Sequence, residues 1–189
     1  MKLEKKGFWY EASKQSIPIE QYLKKIEVDG GFFATDFLHG FCNMLALRLH
    51  EKYGYGMCIC ISKEKEDPVM IHTYCVYNGW YIDARGCTND KELFFQDFGG
   101  TDSLDIDIAV PAPNIDTCSF YEKLTYEISD KLIKMSKGYS YPATTKKLPE
   151  ISIKEENNDF LELIHTEDSY VLFQENDYEK EPIFPIEER

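Results

Sequence analysis

The feature that most restricts the fold is the dipeptide Asn78-Gly79, which lies between two runs of β-like composition. A two-residue type I′ turn requires positive φ at both of its central positions, and Asn-Gly is a pair that meets this requirement well. We therefore predict a β-hairpin formed by residues 69–77 and 80–84, with Asn78 and Gly79 as its loop.

The turn also determines how the two strands pair. Pairing starts at Tyr77–Trp80 and continues through Val76–Tyr81, Cys75–Ile82, Tyr74–Asp83, Thr73–Ala84 and His72–Arg85. Because side chains alternate along a strand, His72 and Asp83 are expected on one face as diagonal neighbours. Their backbones would lie about 7 to 8 Å apart, so that the carboxylate reaches an imidazole nitrogen through the two side chains. A shift of one residue would put them on opposite faces.

The stretch HGFCNMLALRLHEKYGYG, residues 39–56, places a cysteine at the start of a predicted helix. The helix is expected over residues 41–52, because apolar residues recur at helical spacing and two glycines follow. A helix N-terminus and an adjacent imidazolium both favour a thiolate. Cys42 has the first of these, and His72 supplies the second if the hairpin packs against the helix start.

Cys42, His72 and Asp83 are therefore a candidate nucleophile, base and orienting residue, separated by 30 and 11 residues. In a thiol acyl-transfer site, the acid holds the tautomer of the histidine and stabilises its positive form. Each residue also has an ordinary structural interpretation: a packing cysteine, a strand histidine bonded to a backbone carbonyl, and an aspartate paired with Arg85. His39, three residues before Cys42, is an alternative partner imidazole.

Two motifs carry a resemblance to a known superfamily. GFCNMLALRLH followed by IHTYCVYNGWYIDARG resembles the papain-like and transglutaminase-like cysteine superfamily, and is similar in particular to its small bacterial and phage members. The resemblance covers roughly residues 36–86, about a quarter of the chain. It implies a helix packed on an antiparallel sheet and a covalent thioester mechanism, with Cys42 as nucleophile, His72 as base and Asp83 as orienting residue.

One position departs from the papain-like pattern. Papain-like proteases have a glutamine six residues before the cysteine that donates a hydrogen bond to the oxyanion, whereas this chain has Asp36. An ionised aspartate cannot donate a hydrogen bond. The expected oxyanion donors are therefore the backbone amide of Cys42 together with either Tyr74 or another backbone amide.

The overall pattern predicts an α+β fold, with N-terminal helices packed on an antiparallel sheet and a C-terminal helix. The further predicted elements are a helix over residues 16–27, strands over 57–62 and 105–110, and a helix over 119–135. We expect residues 1–149 to form a papain-like or transglutaminase-like catalytic domain. Residues 150–189 are expected to be an acidic C-terminal extension, with a late hairpin and a tail.

Charge limits the partners that such a chain can have. The formal net charge is −13, and residues 150–189 carry −10 of it, from 3 basic and 13 acidic residues. Nucleic-acid binding needs cations that displace counterions from phosphates, so we expect no direct nucleic-acid binding. A protein substrate or a basic protein partner fits this charge better. The alternative function is a catalytically idle scaffold whose acidic segment inhibits a basic or nucleic-acid-binding partner.

The cysteines and aspartates outside the triad are expected to be structural. Cys58 and Cys60 suggest a zinc site, but a Cys-x-Cys strand lacks the usual ligand spacing, and burial in the sheet explains both residues better. Asp102, Asp105 and Asp107 are expected to solvate a strand edge rather than to bind a cation. We expect neither a metal nor a cofactor.

The six cysteines also indicate a compartment. The chain is too large for a disulfide miniprotein and opens with no basic and apolar leader, so we expect reduced thiols and a cytoplasmic protein. No apolar run approaches the roughly 20 residues of a membrane span, and we expect no membrane association.

Overall fold

The predicted hairpin lies in the middle of the main sheet. The computed structural model describes residues 2–63 and 68–144, and in it β5 (Met70–Tyr77) and β6 (Trp80–Asp83) flank a turn whose residues Asn78 and Gly79 have φ of 52° and 76°. The observed pairs are the three predicted next to the turn: Tyr77–Trp80, Val76–Tyr81 and Cys75–Ile82. The register that places His72 and Asp83 on one face is therefore confirmed.

The three predicted strand pairs farthest from the turn were wrong. β6 ends at Asp83, and the chain reverses through Ala84 and Arg85 into β7 (Gly86–Thr88), so that Asp83 pairs with Gly86. Gly86 has a φ of 115°, and a Cβ atom there would collide with the carbonyl oxygen of Lys6 on the neighbouring strand. This reversal replaces the predicted pairs Tyr74–Asp83, Thr73–Ala84 and His72–Arg85.

The main sheet has six strands within the described residues, and every neighbouring pair is antiparallel. The other members are β1 (Lys5–Lys6), β4 (Gly56–Ser62) and β8 (Leu104–Ala109), in the spatial order β1-β7-β6-β5-β4-β8. The bounds of β4 and β8 differ by one residue from those predicted. A separate two-stranded sheet consists of β2 (Glu27–Asp29) and β3 (Phe32–Phe33). The predicted mixed α+β fold with an antiparallel sheet is confirmed.

The two long helices pack together on one face of the sheet. They are α4 (Cys42–Tyr53) and α6 (Phe120–Ser136), close to the predicted bounds. Ser119 caps α6 through a capping box with Glu122, which satisfies two N–H groups at the helix start. Apolar side chains of α4 and α6 share one hydrophobic core with Cys75, an odd-numbered residue of β5. Because side chains alternate along a strand, the even-numbered Tyr74 belongs to a second cluster on the opposite face.

That second cluster is built by elements that the sequence did not predict. They are α1 (Phe8–Lys14) and α5 (Lys91–Phe95), which contribute Trp9, Phe94 and Phe95. A 3-10 turn, Gln96–Phe98, follows α5 directly. The second face of the sheet is therefore covered by aromatic side chains.

The predicted helix over residues 16–27 was wrong in extent. Only α2 (Ile19–Leu23) is helical, Pro18 precedes it as its N-cap, and Ser16 has a φ of 53° after the end of α1. From Glu27 the chain is extended and forms β2. Gly30 and Gly31 both adopt positive φ, and their turn reverses the chain from β2 into β3. The short helix α3 (Asp36–His39) then leads into α4.

The boundary predicted between residues 149 and 150, the acidic extension and its hairpin all lie outside the described residues. Across residues 2–63 and 68–144, no helix combines the length and the apolar character that a membrane crossing requires.

Candidate active site

The sheet brings the predicted histidine and aspartate into direct contact. Nε2 of His72 lies 3.1 Å from Oδ2 of Asp83, and the exposed fractions of the two residues are 0 % and 3 %. Burial is the largest influence on the Asp83 carboxyl and raises its pKa, but attraction to Arg85 and the hydrogen bond with His72 prevail and lower the pKa to about 2. An ionised carboxylate only accepts, so Nε2 donates this hydrogen bond. Nδ1 is the nitrogen that remains for proton transfer.

Cys42 is the first residue of α4 and is 8 % exposed. Phe41 before it provides no side-chain cap, and the Met44 N–H donates to Oδ1 of Asn43 at 3.0 Å. The N–H groups of Cys42 and Asn43 are therefore the ones at the helix start that could meet an anion. Burial is the largest influence on the Cys42 thiol and raises its pKa. The nearby His72 imidazole and Thr73 outweigh burial, and the pKa of Cys42 lies below its ordinary value.

His72 shows the complementary shift. Burial is the largest influence and lowers the pKa of the imidazole, but the hydrogen bond to Asp83 and the nearby Cys42 thiol raise it more, and the pKa lies above its ordinary value. Nδ1 of His72 has no aligned hydrogen-bond partner among the described residues, although the ring interacts with the Cys42 thiol. The ring and the thiol are therefore close neighbours without an aligned hydrogen bond between them.

The site thus contains both groups of a thiolate–imidazolium pair. A lowered thiol pKa and a raised imidazole pKa mean that each group stabilises the charged form of the other. Asp83 accepts the Nε2 proton and stabilises the positive ring, as the sequence predicts for an orienting residue. Asp83 also pairs with Arg85 at 2.7 Å, so its ordinary interpretation and its functional one hold together.

Two neighbours of the site, Thr73 and Phe98, were not identified from the sequence, whereas Arg85 was expected there as the ordinary partner of Asp83. Thr73 interacts with the Cys42 thiol through its backbone and side chain. Phe98 stacks on His72, with ring centroids 4.4 Å apart and an interplanar angle of 21°. Arg85 is fully buried against Asp83. The sequence signal that points to Arg85 is its position two residues after Asp83.

The alternative imidazole has another partner. Nε2 of His39 lies 3.5 Å from Glu20, and half of the His39 side chain is exposed. Burial is the largest influence on His39 and lowers its pKa below the ordinary value. His72, rather than His39, is therefore the imidazole that interacts with the thiol of Cys42.

Two side chains considered for the oxyanion site, Asp36 and Tyr74, already have other hydrogen-bond partners, which reduces the number of possible oxyanion donors. The carboxylate of Asp36 accepts a hydrogen bond from the backbone N–H of Phe33 at 2.7 Å. The hydroxyl of Tyr74 donates to Oδ1 of Asp107 at 3.1 Å and accepts from the Asp107 N–H at 2.7 Å. The expected Tyr74 donor is thus already used by β8, which leaves backbone amides at the start of α4 as the available donors.

The acidic residues of β8 interact with their own partners at the sheet edge. Asp107 accepts hydrogen bonds from Tyr81 and Lys91 as well as from Tyr74, and Asp105 lies 3.8 Å from Lys63. β8 is an edge strand, and both aspartates are exposed, as predicted. In the part of the chain that the structure describes, no three His, Cys, Asp or Glu side chains are grouped to hold a metal ion.

The remaining cysteines are free thiols with raised pKa values. Burial raises the pKa of Cys58, Cys60 and Cys87 to about 12 and raises that of Cys75 well above its ordinary value. Burial also raises the pKa of Cys118, the least buried of the six. Cys42 alone has the opposite shift.

Comparison of the chain with protein-family models, with curated proteins and with solved structures found no match.

Proposed function

We propose that this chain is a cysteine-dependent acyl-transfer enzyme with a papain-like or transglutaminase-like core. One observation carries the proposal: Cys42, His72 and Asp83 form a continuous buried chain of contacts in which the thiol pKa is lowered and the imidazole pKa is raised. A reactive cysteine needs a stabilised thiolate and a positioned proton donor, and this cluster contains both.

The reaction starts with attack of the Cys42 thiolate on the carbonyl carbon of an amide or thioester. Backbone N–H groups at the start of α4 stabilise the negative oxygen of the tetrahedral intermediate. When the substrate is an amide, the C–N bond breaks, His72 gives the Nδ1 proton to the departing amine, and an acyl-Cys42 thioester forms. Water or a second amine then attacks the thioester and loses a proton to His72, and the Cys42 thiolate leaves.

A protein is the substrate that fits the charge of the chain. Amide hydrolysis, deamidation and transamidation share the acyl-Cys42 intermediate, so all three lie within the proposal. The net charge of −13 favours a basic protein over a nucleic acid. Six cysteines without a disulfide fit a reducing compartment, and we propose the cytoplasm.

Trapping of the intermediate tests the proposal. The protein is incubated with a peptide thioester, quenched in acid, and analysed by intact mass and by peptide mapping. We expect one acyl group on Cys42, absent from Cys42→Ser and strongly reduced in His72→Ala. His50→Ala is the matched control, because His50 lies at the far end of α4 and its ring contacts the Tyr55 carbonyl. Acylation spread over several cysteines, or unchanged in His72→Ala, would contradict the proposal.

Closure of the site favours one second candidate, the idle scaffold that binds a basic partner. His72 has no exposed surface, and Phe98 lies over its ring. The net charge of −10 on residues 150–189 would attract the partner. Binding that weakens steeply with salt, without any trapped acyl-Cys42, favours this candidate over the enzyme.

A further inference from the structure

Arg85 has no exposed surface, and Asp83 is its principal partner. Nε of Arg85 lies 3.2 Å from Oδ1 and 3.0 Å from Oδ2, and Nη2 lies 2.7 Å from Oδ2. The backbone N–H of Arg85 also donates to Oδ1, at 2.8 Å. Together with His72, this one arginine occupies both oxygens of the carboxylate.

The rest of the guanidinium is held equally firmly. Nη2 donates to the carbonyl of Phe94 at 2.8 Å, and Nη1 donates to Asp97 at 2.7 Å. Rings of Trp9, Phe94 and Phe98 lie 4.4, 4.7 and 4.9 Å from the guanidinium carbon. Of these partners, only Asp97 is substantially exposed; the exposed fraction of its side chain is 43 %. Arg85 is therefore part of the interior, unlike a surface ion pair.

The charges inside the site balance only when Arg85 is counted. In the reactive form Cys42 and Asp83 are both negative, and His72 is the one positive group of the triad. A guanidinium keeps its charge in proteins, so Arg85 brings the sum of the four buried groups to zero. Asp97, the other acidic partner of Arg85, has a side chain that is 43 % exposed, so solvent screens its charge. Without Arg85, a net negative charge would remain in a buried site, which is strongly unfavourable.

We infer that Arg85 is a positioning residue of this site, acting through Asp83: its buried cation allows Asp83 and the Cys42 thiolate to be negative at the same time. This inference rests on the proposed function and adds a fourth residue to its mechanism. It explains why a triad acid is bound by an arginine as well as by its histidine.

Other titratable groups face the cluster without taking over this role. His39 on α3 is half-exposed, lies beside Glu20, and is repelled by both His72 and Arg85. Asp97, in the 3-10 turn after α5, is an acidic neighbour that contacts Arg85 from the surface. The buried neighbours are neutral near pH 7, because burial raises their pKa values; they are Cys60 on β4, Tyr74 and Cys75 on β5, and Tyr139 after α6. The groups that titrate with Cys42 near neutral pH are thus His72 and His39.

Two substitutions at one position separate charge from shape. Arg85→Gln and Arg85→Lys both remove the planar fork, but only glutamine removes the cation. The readout is the pH midpoint of Cys42 alkylation by iodoacetamide in the full-length protein. We expect Arg85→Gln to raise the midpoint by about one pH unit or more, and Arg85→Lys to shift it by less than about half a unit.

A purely structural role predicts a different result. In that case both variants lose stability and their midpoints shift equally or not at all, which overturns the inference. If Arg85→Gln does not fold, Arg85→Lys alone decides, because a shift of about one unit or more with the charge retained contradicts charge balance.

A double-mutant cycle tests whether Arg85 acts through Asp83. In an Asp83→Asn background the buried anion is gone, so adding Arg85→Gln should shift the midpoint much less than it does with Asp83 present. Equal shifts in the two backgrounds contradict the inference. Failure of the proposed function is distinct, because then Cys42 of the unmodified protein shows no selective alkylation at all.

Discussion

Two buried cysteines lie near His72, and the pKa values of their thiols shift in opposite directions. Cys60 lies on β4 directly opposite His72 in the strand register, and Cys42 lies at the start of α4. Burial raises the pKa of Cys60 to about 12, and the nearby Cys42 charge adds to the effect of burial. At Cys42, His72 and Thr73 reverse the effect of burial. Proximity to the histidine along the sheet is therefore not sufficient to activate a thiol.

The difference comes from which atoms each thiol meets. Cys60 belongs to the aromatic cluster of Trp9, Tyr74 and Phe94. The backbone of His72 and the charge of Arg85 act to lower the pKa of its thiol, but burial outweighs them. At Cys42 the His72 imidazole and Thr73 lower the pKa of the thiol, and the helix start adds N–H groups that favour negative charge. We propose that this combination of a helix N-terminus and a strand histidine makes the buried thiol reactive.

The largest expected effect is the loss of this convergence in His72→Ala. Without the imidazolium, burial dominates the Cys42 thiol and raises its pKa, as it does at Cys60. We expect the rate of Cys42 alkylation at about pH 6.5 to fall about a hundredfold, because the fraction of thiolate falls as the pKa of the thiol rises. Peptide mapping after timed iodoacetamide labelling gives the rate, with His50→Ala as control. An unchanged rate would remove the distinction between the two cysteines.

A second prediction concerns acid stability. The folded-state pKa of Asp83 is about 2, below its ordinary value of 3.8, so Asp83 stabilises the fold above about pH 4 and loses this contribution as pH falls towards about 2. The shift corresponds to roughly 2 kcal/mol of the free energy of unfolding. Urea unfolding between about pH 2 and 5 should show this slope, and Asp83→Asn should flatten it. Equal slopes in both proteins would contradict the account.

Both predictions depend on the strand register of the hairpin, which can be predicted from the sequence. Asn78-Gly79 is a local signal whose geometry determines the pairing of its flanking residues, so the contact of His72 with Asp83 could be predicted. The helix start at Cys42 also follows from local pattern. The reversal at Arg85 could not be predicted, because β7 is stabilised by pairing with β1, which lies about 80 residues away in the chain. Such non-local pairings leave no periodicity in the sequence.

The cover of the site was unpredictable for a related reason. α5 has five residues, and Phe98 lies in a single 3-10 turn after it. Elements this short have little intrinsic stability and form through tertiary packing. Nothing in the stretch FFQDFGG indicates that its last aromatic ring stacks on a histidine far from it in the sequence.

Phe98 supplies the third prediction, which concerns access. Phe98→Ala should open the His72 side of the site, and we expect a large maleimide to label Cys42 about three to ten times faster, with a smaller gain for iodoacetamide. Phe120→Ala is the control, since Phe120 is exposed and makes an edge-to-face contact with Tyr121 instead. An equal gain for both reagents would show that Phe98 does not limit access.

The smallest effect is expected at Cys60. Cys60→Ala removes buried volume and should reduce the free energy of unfolding by about 1 to 2 kcal/mol. The pH midpoint of Cys42 alkylation should stay within about 0.3 units, because Cys60 is neutral near pH 7 and supplies no charge to the site. A larger shift would mean that the two cysteines act as a coupled pair.

The most direct measurement is the iodoacetamide labelling rate of all six cysteines in the unmodified protein as a function of pH. Cys118 is the internal reference, because it is the least buried of the six and its pKa is raised. The account predicts that Cys42 labels fastest near neutral pH despite its burial, with a midpoint clearly below the value of about 8.5 for an ordinary thiol. Faster labelling of Cys118 at every pH, with a Cys42 midpoint at or above that value, would contradict it.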